Sequence, residues 1–226
     1  IQIGGTFNSL AGTLTPMLVG ALIGTVSRDT AISDVNPVLY IAMGVFAVSF
    51  IILGFIPIND PGEKKNKKVV YEKSPWAFRH FVLGTIAIFV YVGVEIGIPG
   101  TLNFYLSNIT DKGAGLDPSN AATIGGFVAG TYWFLMLVGR FIGGLVGGKV
   151  SSKVMLSTVS GLAMILIIAA ILTPKTVTTS MPVFTGSSFS LTVVPLSALL
   201  LVVCGLCTSI MWGSIFNLAV EGLGKY

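Results

Sequence analysis

Six long apolar stretches, at roughly 3–26, 38–57, 79–106, 121–147, 153–173 and 191–220, alternate along the chain with short polar ones. About 20 residues at ~1.5 Å rise per residue cross the ~30 Å hydrocarbon core of a bilayer. The pattern therefore predicts six membrane-spanning helices, an even number that puts both ends on one side. The expected fold class is all-α, a polytopic membrane protein. Helix starts are marked by Asn36-Pro37, Ser74-Pro75 and Asp117-Pro118, and two helix ends by Pro57 and Pro174. Pro16 and Pro195 fall inside or near the start of apolar stretches, where a membrane helix tolerates a kink. The polar segment 174–190 reads as a connector.

Composition supports this reading. Of 226 residues, 53% are hydrophobic and 10% charged, against roughly 25% charged in a typical soluble domain. The basic residues divide unevenly between the two sides. Ten fall on one side (Lys64, Lys65, Lys67, Lys68, Lys73, Arg79, Arg140, Lys149, Lys153 and Lys225), and three, Arg28, Lys112 and Lys175, on the other. Basic loops stay inside, so both ends are expected to be cytoplasmic and the membrane to be the inner (cytoplasmic) one. The chain opens on Ile1 with no basic flank and closes shortly after an apolar run. No signal peptide is expected, and the sequence is expected to be part of a larger protein.

The stretch EKKNKK, within 59–75, is the one charge run. It reads as a topology-setting cytoplasmic linker between 1–58, with two helices, and 76–226, with four. Attraction to anionic lipid is open to such a cluster. Nucleic-acid binding is not expected, because no folded basic domain presents it.

Glu95 is the residue that the apolar pattern fails to explain. It sits near mid-depth of the third stretch, where an ionisable group is costly and by default functional. The bland alternative is a protonated Glu hydrogen-bonded between helices. Four residues on, Pro99-Gly100 predicts a break of the kind that lets irregular backbone line a cavity. Tyr91, Glu95, Pro99 and Asn103 recur at four-residue spacing and form a polar stripe. Elsewhere at depth stand Asn8 on the first helix, Trp133 and Arg140 on the fourth, and Trp212 and Asn217 on the sixth. Amides and carboxylates satisfy hydroxyls, and Trp offers a flat face with a polar tip, so the set suits a small polar solute such as a sugar. Trp133 reads equally as packing. For Arg140, snorkelling to the interface stands beside a gating or ion-pair role.

Catalysis and cofactors find little support. Cys204 and Cys207 lie within one apolar stretch with no second pair, and His80 is the single histidine. They read as small packed residues rather than metal ligands, and no haem ligand is at hand. No enzyme activity, metal or cofactor is expected. The 28 glycines recur four apart at Gly93/Gly97, Gly126/Gly130, Gly139/Gly143/Gly147 and Gly144/Gly148, a spacing that lets helix backbones approach in lipid.

Four stretches carry a family likeness: TFNSL at 6–10 followed by Pro16; YVGVEIGIPG at 91–100 with NFYL at 103–106; GRFIG at 139–143; and SIFNLAVEGLG at 214–224. With these the chain resembles the fucose/glucose–galactose branch of the major facilitator superfamily, the proton-linked sugar permeases. The resemblance implies a twelve-helix fold of which these six segments look like helices 5–10, with 59–75 joining the two halves. It implies that Asn8 lies by the central cavity and that Glu95 is the acid of the seventh helix. It also implies that the main proton-carrying acids lie on helices 1 and 4, outside this sequence. The chain departs from the family at Gly5, where a Gln is usual, and at Trp212-Gly213, where an aromatic–proline pair is usual. The expectation is a monomeric transporter that moves a hexose-like sugar inward by alternating access with protons. Its substrate would be held by Asn8, Glu95, Asn103, Trp133, Trp212 and Asn217, with Glu95 the local candidate for proton coupling, and Arg140, Pro99 and Gly100 for gating or structure. The rivals are a transporter of another small polar solute and a non-transporting membrane scaffold.

Overall fold

The computed structural model describes residues 2–23, 31–57, 73–185 and 188–223. Among the described residues six α-helices form where the apolar stretches predict them: α1 (Gln2–Ile23), α2 (Asn36–Phe55), α3 (Arg79–Ser107), α4 (Ala121–Val146), α5 (Ser152–Leu172) and α6 (Leu196–Ala219). Among the described residues, five segments, the last five of these helices with the 3-10 turn Ile32–Val35 leading into α2, are long and apolar enough to span a membrane. The 22-residue α1 is of similar length but carries Asn8, Ser9, Thr13 and Thr15 and is not among them. The EKKNKK stretch, Arg28 and Lys225 lie outside the described residues.

The chain divides into two compact bodies, Ile1–Met17 with Pro75–Lys225, and Leu18–Ser74 with Tyr226. The start of α1 thus belongs with the third to sixth helices rather than with α2. In the smaller body α2 has no buried side chain, as expected of a helix apolar on every face that lies in lipid or against other helices.

In the larger body α6 is the hub, with α3, α4 and α5 packed round it and α3 also against α4. Small residues make this possible. A Cβ on Gly205 of α6 would lie 2.6 Å from the Tyr132 carbonyl oxygen of α4, and one on Gly139 of α4 would overlap Ser209 of α6. Cys204 and Cys207 are unpaired and buried on α6 and pack as small side chains.

The expected connector 174–190 is an antiparallel hairpin instead, β1 (Thr178–Phe184) with β2 (Phe189–Pro195), in register from Thr178↔Pro195 to Phe184↔Phe189. The sixth helix accordingly starts at Leu196 and not at 191. Alternate residues Met181 and Val183 turn inward with Val194 onto Leu102 and Leu106 of α3, Val128 of α4 and Ala198 and Val202 of α6, the period of two that a half-buried strand requires. The hairpin end is fastened by the Phe184 N–H, which donates to Thr131 Oγ1 of α4 at 2.9 Å, and by the rings of Phe134, Phe184 and Phe189, whose centroids lie 5.0–5.4 Å apart. Thr131→Val removes that acceptor while keeping the shape. It is expected to cost about 1 kcal/mol and to speed exchange of the Phe184 amide hydrogen, measured in the full-length protein.

The chain enters α4 through Asp117, which accepts from the Ser119 N–H at 2.9 Å and Ser119 Oγ at 2.7 Å. These bonds hold its carboxyl below the usual carboxylate range.

Candidate functional site

Within the larger body a cavity of about 460 Å³ opens between the start of α1 and helices α3, α4 and α6, lined by Gly4, Gly5, Asn8, Val92, Glu95, Arg140 and Trp212. That volume suits a small solute, since ligand pockets run from about 300 to 1,000 Å³. Its wall contains an ion pair. Arg140 Nη2 donates to Glu95 Oε1 at 2.5 Å, with the side chains only 6% and 12% exposed. Arg140 Nη1 donates to the Gly5 carbonyl at 2.9 Å and to Ser9 Oγ at 2.6 Å. One guanidinium therefore joins three helices.

Local sequence accounts for this placement. Successive residues on a helix point about 100° apart. Gly139 of α4 lies against α6, and its neighbour Arg140 is turned toward α1 and α3. Gly5 leaves the room that Arg140 needs, because a Cβ there would come within 3.3 Å of Arg140 Cδ. A charge at this depth must be paired to be tolerated, and the guanidinium satisfies several acceptors at once through its planar fork.

Behind Glu95 lies a buried polar network. Tyr91 Oη donates to the Thr208 carbonyl at 3.1 Å, Tyr132 Oη lies 2.9 Å from Thr208 Oγ1, and Tyr132 Oη donates to the Glu95 carbonyl at 3.3 Å. On the cavity side Asn8 is exposed, and the Trp212 ring is stacked on Phe216 with centroids 5.6 Å apart.

Four of the residues expected at the site thus converge on the cavity: Asn8, Glu95, Arg140 and Trp212. Asn103, Trp133 and Asn217 do not line it. A four-residue step advances about 40° beyond a full turn, so the stripe from Glu95 has rotated about 80° by Asn103, whose Oδ1 instead accepts from Ser107 Oγ at 3.0 Å. Asn217 follows Trp212 by five residues, about 140° round α6, and reaches Ser152 Oγ at the start of α5, 3.4 Å away. Trp133 packs on Gly12 of α1 and edge-on against Tyr132. The expected break at Pro99-Gly100 is absent. α3 runs unbroken to Ser107 with Pro99 buried inside it, packed against α4 and α6. Snorkelling of Arg140 gives way to the ion pair. Ser9, Tyr132 and Thr208 were not foreseen as participants. Among the described residues no three His, Cys, Asp or Glu side chains gather to hold a metal.

The long apolar helices agree with what comparison with known proteins finds. Residues 3–226 match the Major Facilitator Superfamily. This chain belongs to that superfamily. It is 29% identical over 225 residues to a protein of Brucella abortus named glucose/galactose transporter, covering 97% of this chain and 48% of the relative. It is 28% identical over 227 residues to a Helicobacter pylori protein named putative glucose/galactose transporter, covering 96% and 49%. The chain thus spans about half the length of the curated relatives it matches. No solved structure gives a significant match.

Proposed function

We propose that the full-length protein is a secondary transporter that carries a hexose-like sugar across the inner membrane by alternating access, in symport with protons, and that the Glu95–Arg140 cavity is part of its sugar site. The observation that carries this reading is the buried ion pair exposed to a solute-sized cavity between helices. A sugar hydroxyl both donates and accepts, so it can accept from Arg140 while donating to Glu95, replacing the bonds that the two make to each other. Trp212 offers the ring face on which a pyranose lies, and Asn8 an amide at the rim. The relatives named glucose/galactose transporters support the sugar class.

On this reading 1–58 and 76–226 belong to two halves joined by the basic stretch 59–75, with both ends of the chain cytoplasmic and the protein working as a monomer. Arg140 holds α1 of the first half to α4 of the second through Gly5 and Ser9, so that contact must break for the halves to rock about a midplane site. Protonation of Glu95 removes the charge that anchors Arg140, which gives a proton a route to loosening it.

Uptake of labelled glucose and galactose by vesicles holding the full-length protein tests this. Glu95→Gln keeps the size and one acceptor but loses the charge. It is expected to lower uptake about tenfold, the weight of one charge-assisted hydrogen bond, and to flatten the pH dependence. Unchanged uptake, sugar affinity and pH dependence would show that the cavity is not the site.

A further inference from the structure

Pro99 has a chemical consequence that its continuous helix conceals. In α3 the carbonyl of Glu95 would accept from the N–H of residue 99, but proline has no N–H and its ring pushes against the carbonyl four residues back. The carbonyl left open belongs to the same residue whose side chain meets Arg140. In a membrane such a group must find a partner inside the protein. It finds Tyr132 Oη of α4, at 3.3 Å. Tyr132 is fully buried, and its backbone is held against Gly205 of α6, where a Cβ would come within 2.6 Å of the Tyr132 carbonyl oxygen. Its hydroxyl therefore stands at a fixed place between α3 and α6.

That hydroxyl has one proton and two acceptors within reach. Thr208 Oγ1 is 2.9 Å away and itself donates to the Cys204 carbonyl at 3.1 Å. While Thr208 donates to its own helix, Tyr132 gives its proton either to the Glu95 carbonyl or to Thr208; when Thr208 donates to Tyr132 instead, the Tyr132 proton goes to the Glu95 carbonyl. We propose that Tyr132 is a positioning residue of the site: its hydroxyl takes the place of the N–H that Pro99 lacks, and so sets the turn of α3 that aims Glu95 at Arg140. Donation to the Glu95 carbonyl fixes this turn, and donation to Thr208 frees it. The inference rests on the proposed sugar site for its effect on transport but not for the hydrogen bond itself.

A double-mutant cycle separates the two. Pro99→Ala supplies an N–H for the Glu95 carbonyl, so Tyr132→Phe should matter more where Pro99 is present. With Pro99 replaced, the Tyr132 proton is left to Thr208, so the loss that remains in the double variant is that contact. In the full-length protein purified in detergent, Tyr132→Phe alone is expected to lower the unfolding temperature by a few degrees, with much of that loss recovered in the double variant. In vesicles the same single change is expected to raise the sugar KM about fivefold, the scale of one neutral hydrogen bond, with kcat largely kept, and Pro99→Ala is expected to rescue it. Should Tyr132→Phe alone fail to assemble, assembly of the double variant is the expected rescue. Equal losses with and without Pro99, or failure of both variants to assemble, would overturn the assignment. Thermal coupling without any sugar uptake by the parent protein would leave Tyr132 in place and overturn the sugar site instead.

Discussion

Arg140→Ala in the full-length protein is expected to abolish sugar uptake and to lower stability by about 3–5 kcal/mol, the cost of leaving a buried charge without its partner. The stranded charge is Glu95, 12% exposed beside a guanidinium that is 6% exposed. Arg140→Lys should rescue only in part. A lysine carries the charge, but its single nitrogen cannot serve Glu95, the Gly5 carbonyl and Ser9 Oγ in the fork geometry that Arg140 uses. The informative variant is the pair Arg140→Met with Glu95→Gln, which removes both charges together. Replacing a buried ion pair by uncharged side chains of similar volume is often neutral or stabilising. Thermal unfolding should therefore return close to the parent value while uptake stays lost. Unfolding in detergent and vesicle uptake measured on the same four proteins separate a structural pair from a working one. Recovery of transport together with stability would mean that the charges serve only to hold α1, α3 and α4 together.

The helices were legible because each apolar stretch is long, and length together with apolar composition decides what can cross a bilayer. The charged residues at depth were legible in kind. Glu95 and Arg140 stand out of apolar runs by their cost, and buried charges of opposite sign are expected to find one another. Their pairing was not drawn, since 45 positions separate them and only the packing of α3 on α4 brings them into reach. Spacing arguments also failed beyond one turn. Four-residue steps keep Tyr91 and Glu95 on one side, yet the accumulated drift takes Asn103 away and leaves it with Ser107. The hairpin was missed for a compositional reason. Its strands are rich in Thr and Ser and contain Pro182, so they do not stand out as an apolar run, although alternation at Met181 and Val183 was present. Pro99 was read as a break because proline removes a helix bond. The fold keeps the helix and supplies the missing donor from Tyr132.

Glycine spacing is where sequence gave the least discrimination, and substitution should expose it. Gly126/Gly130, Gly93/Gly97 and Gly139/Gly143 have the same four-residue interval, yet the first two pairs have open space where a Cβ would stand. Gly139 and Gly143 instead face Ser209 and Ile210 of α6. The interval permits close approach but does not say which face of the helix a neighbour occupies. Gly205 is confined by an atom that cannot give way, since its Cβ would meet the backbone oxygen of Tyr132, which cannot rotate aside as a side chain can. Gly205→Val is therefore expected to force α4 and α6 apart, at the 1–3 kcal/mol of an overpacked core or more, and to raise KM by carrying Tyr132 away from the Glu95 carbonyl. Gly126→Ala and Gly130→Ala are expected to be neutral or to gain about 0.5–1 kcal/mol from the better helix former. Thermal unfolding of the full-length variants checks the ranking. If Gly205→Val behaves like Gly126→Ala, α4 and α6 are not in the contact that positions Tyr132, and the ordering of the Glu95 turn must come from elsewhere.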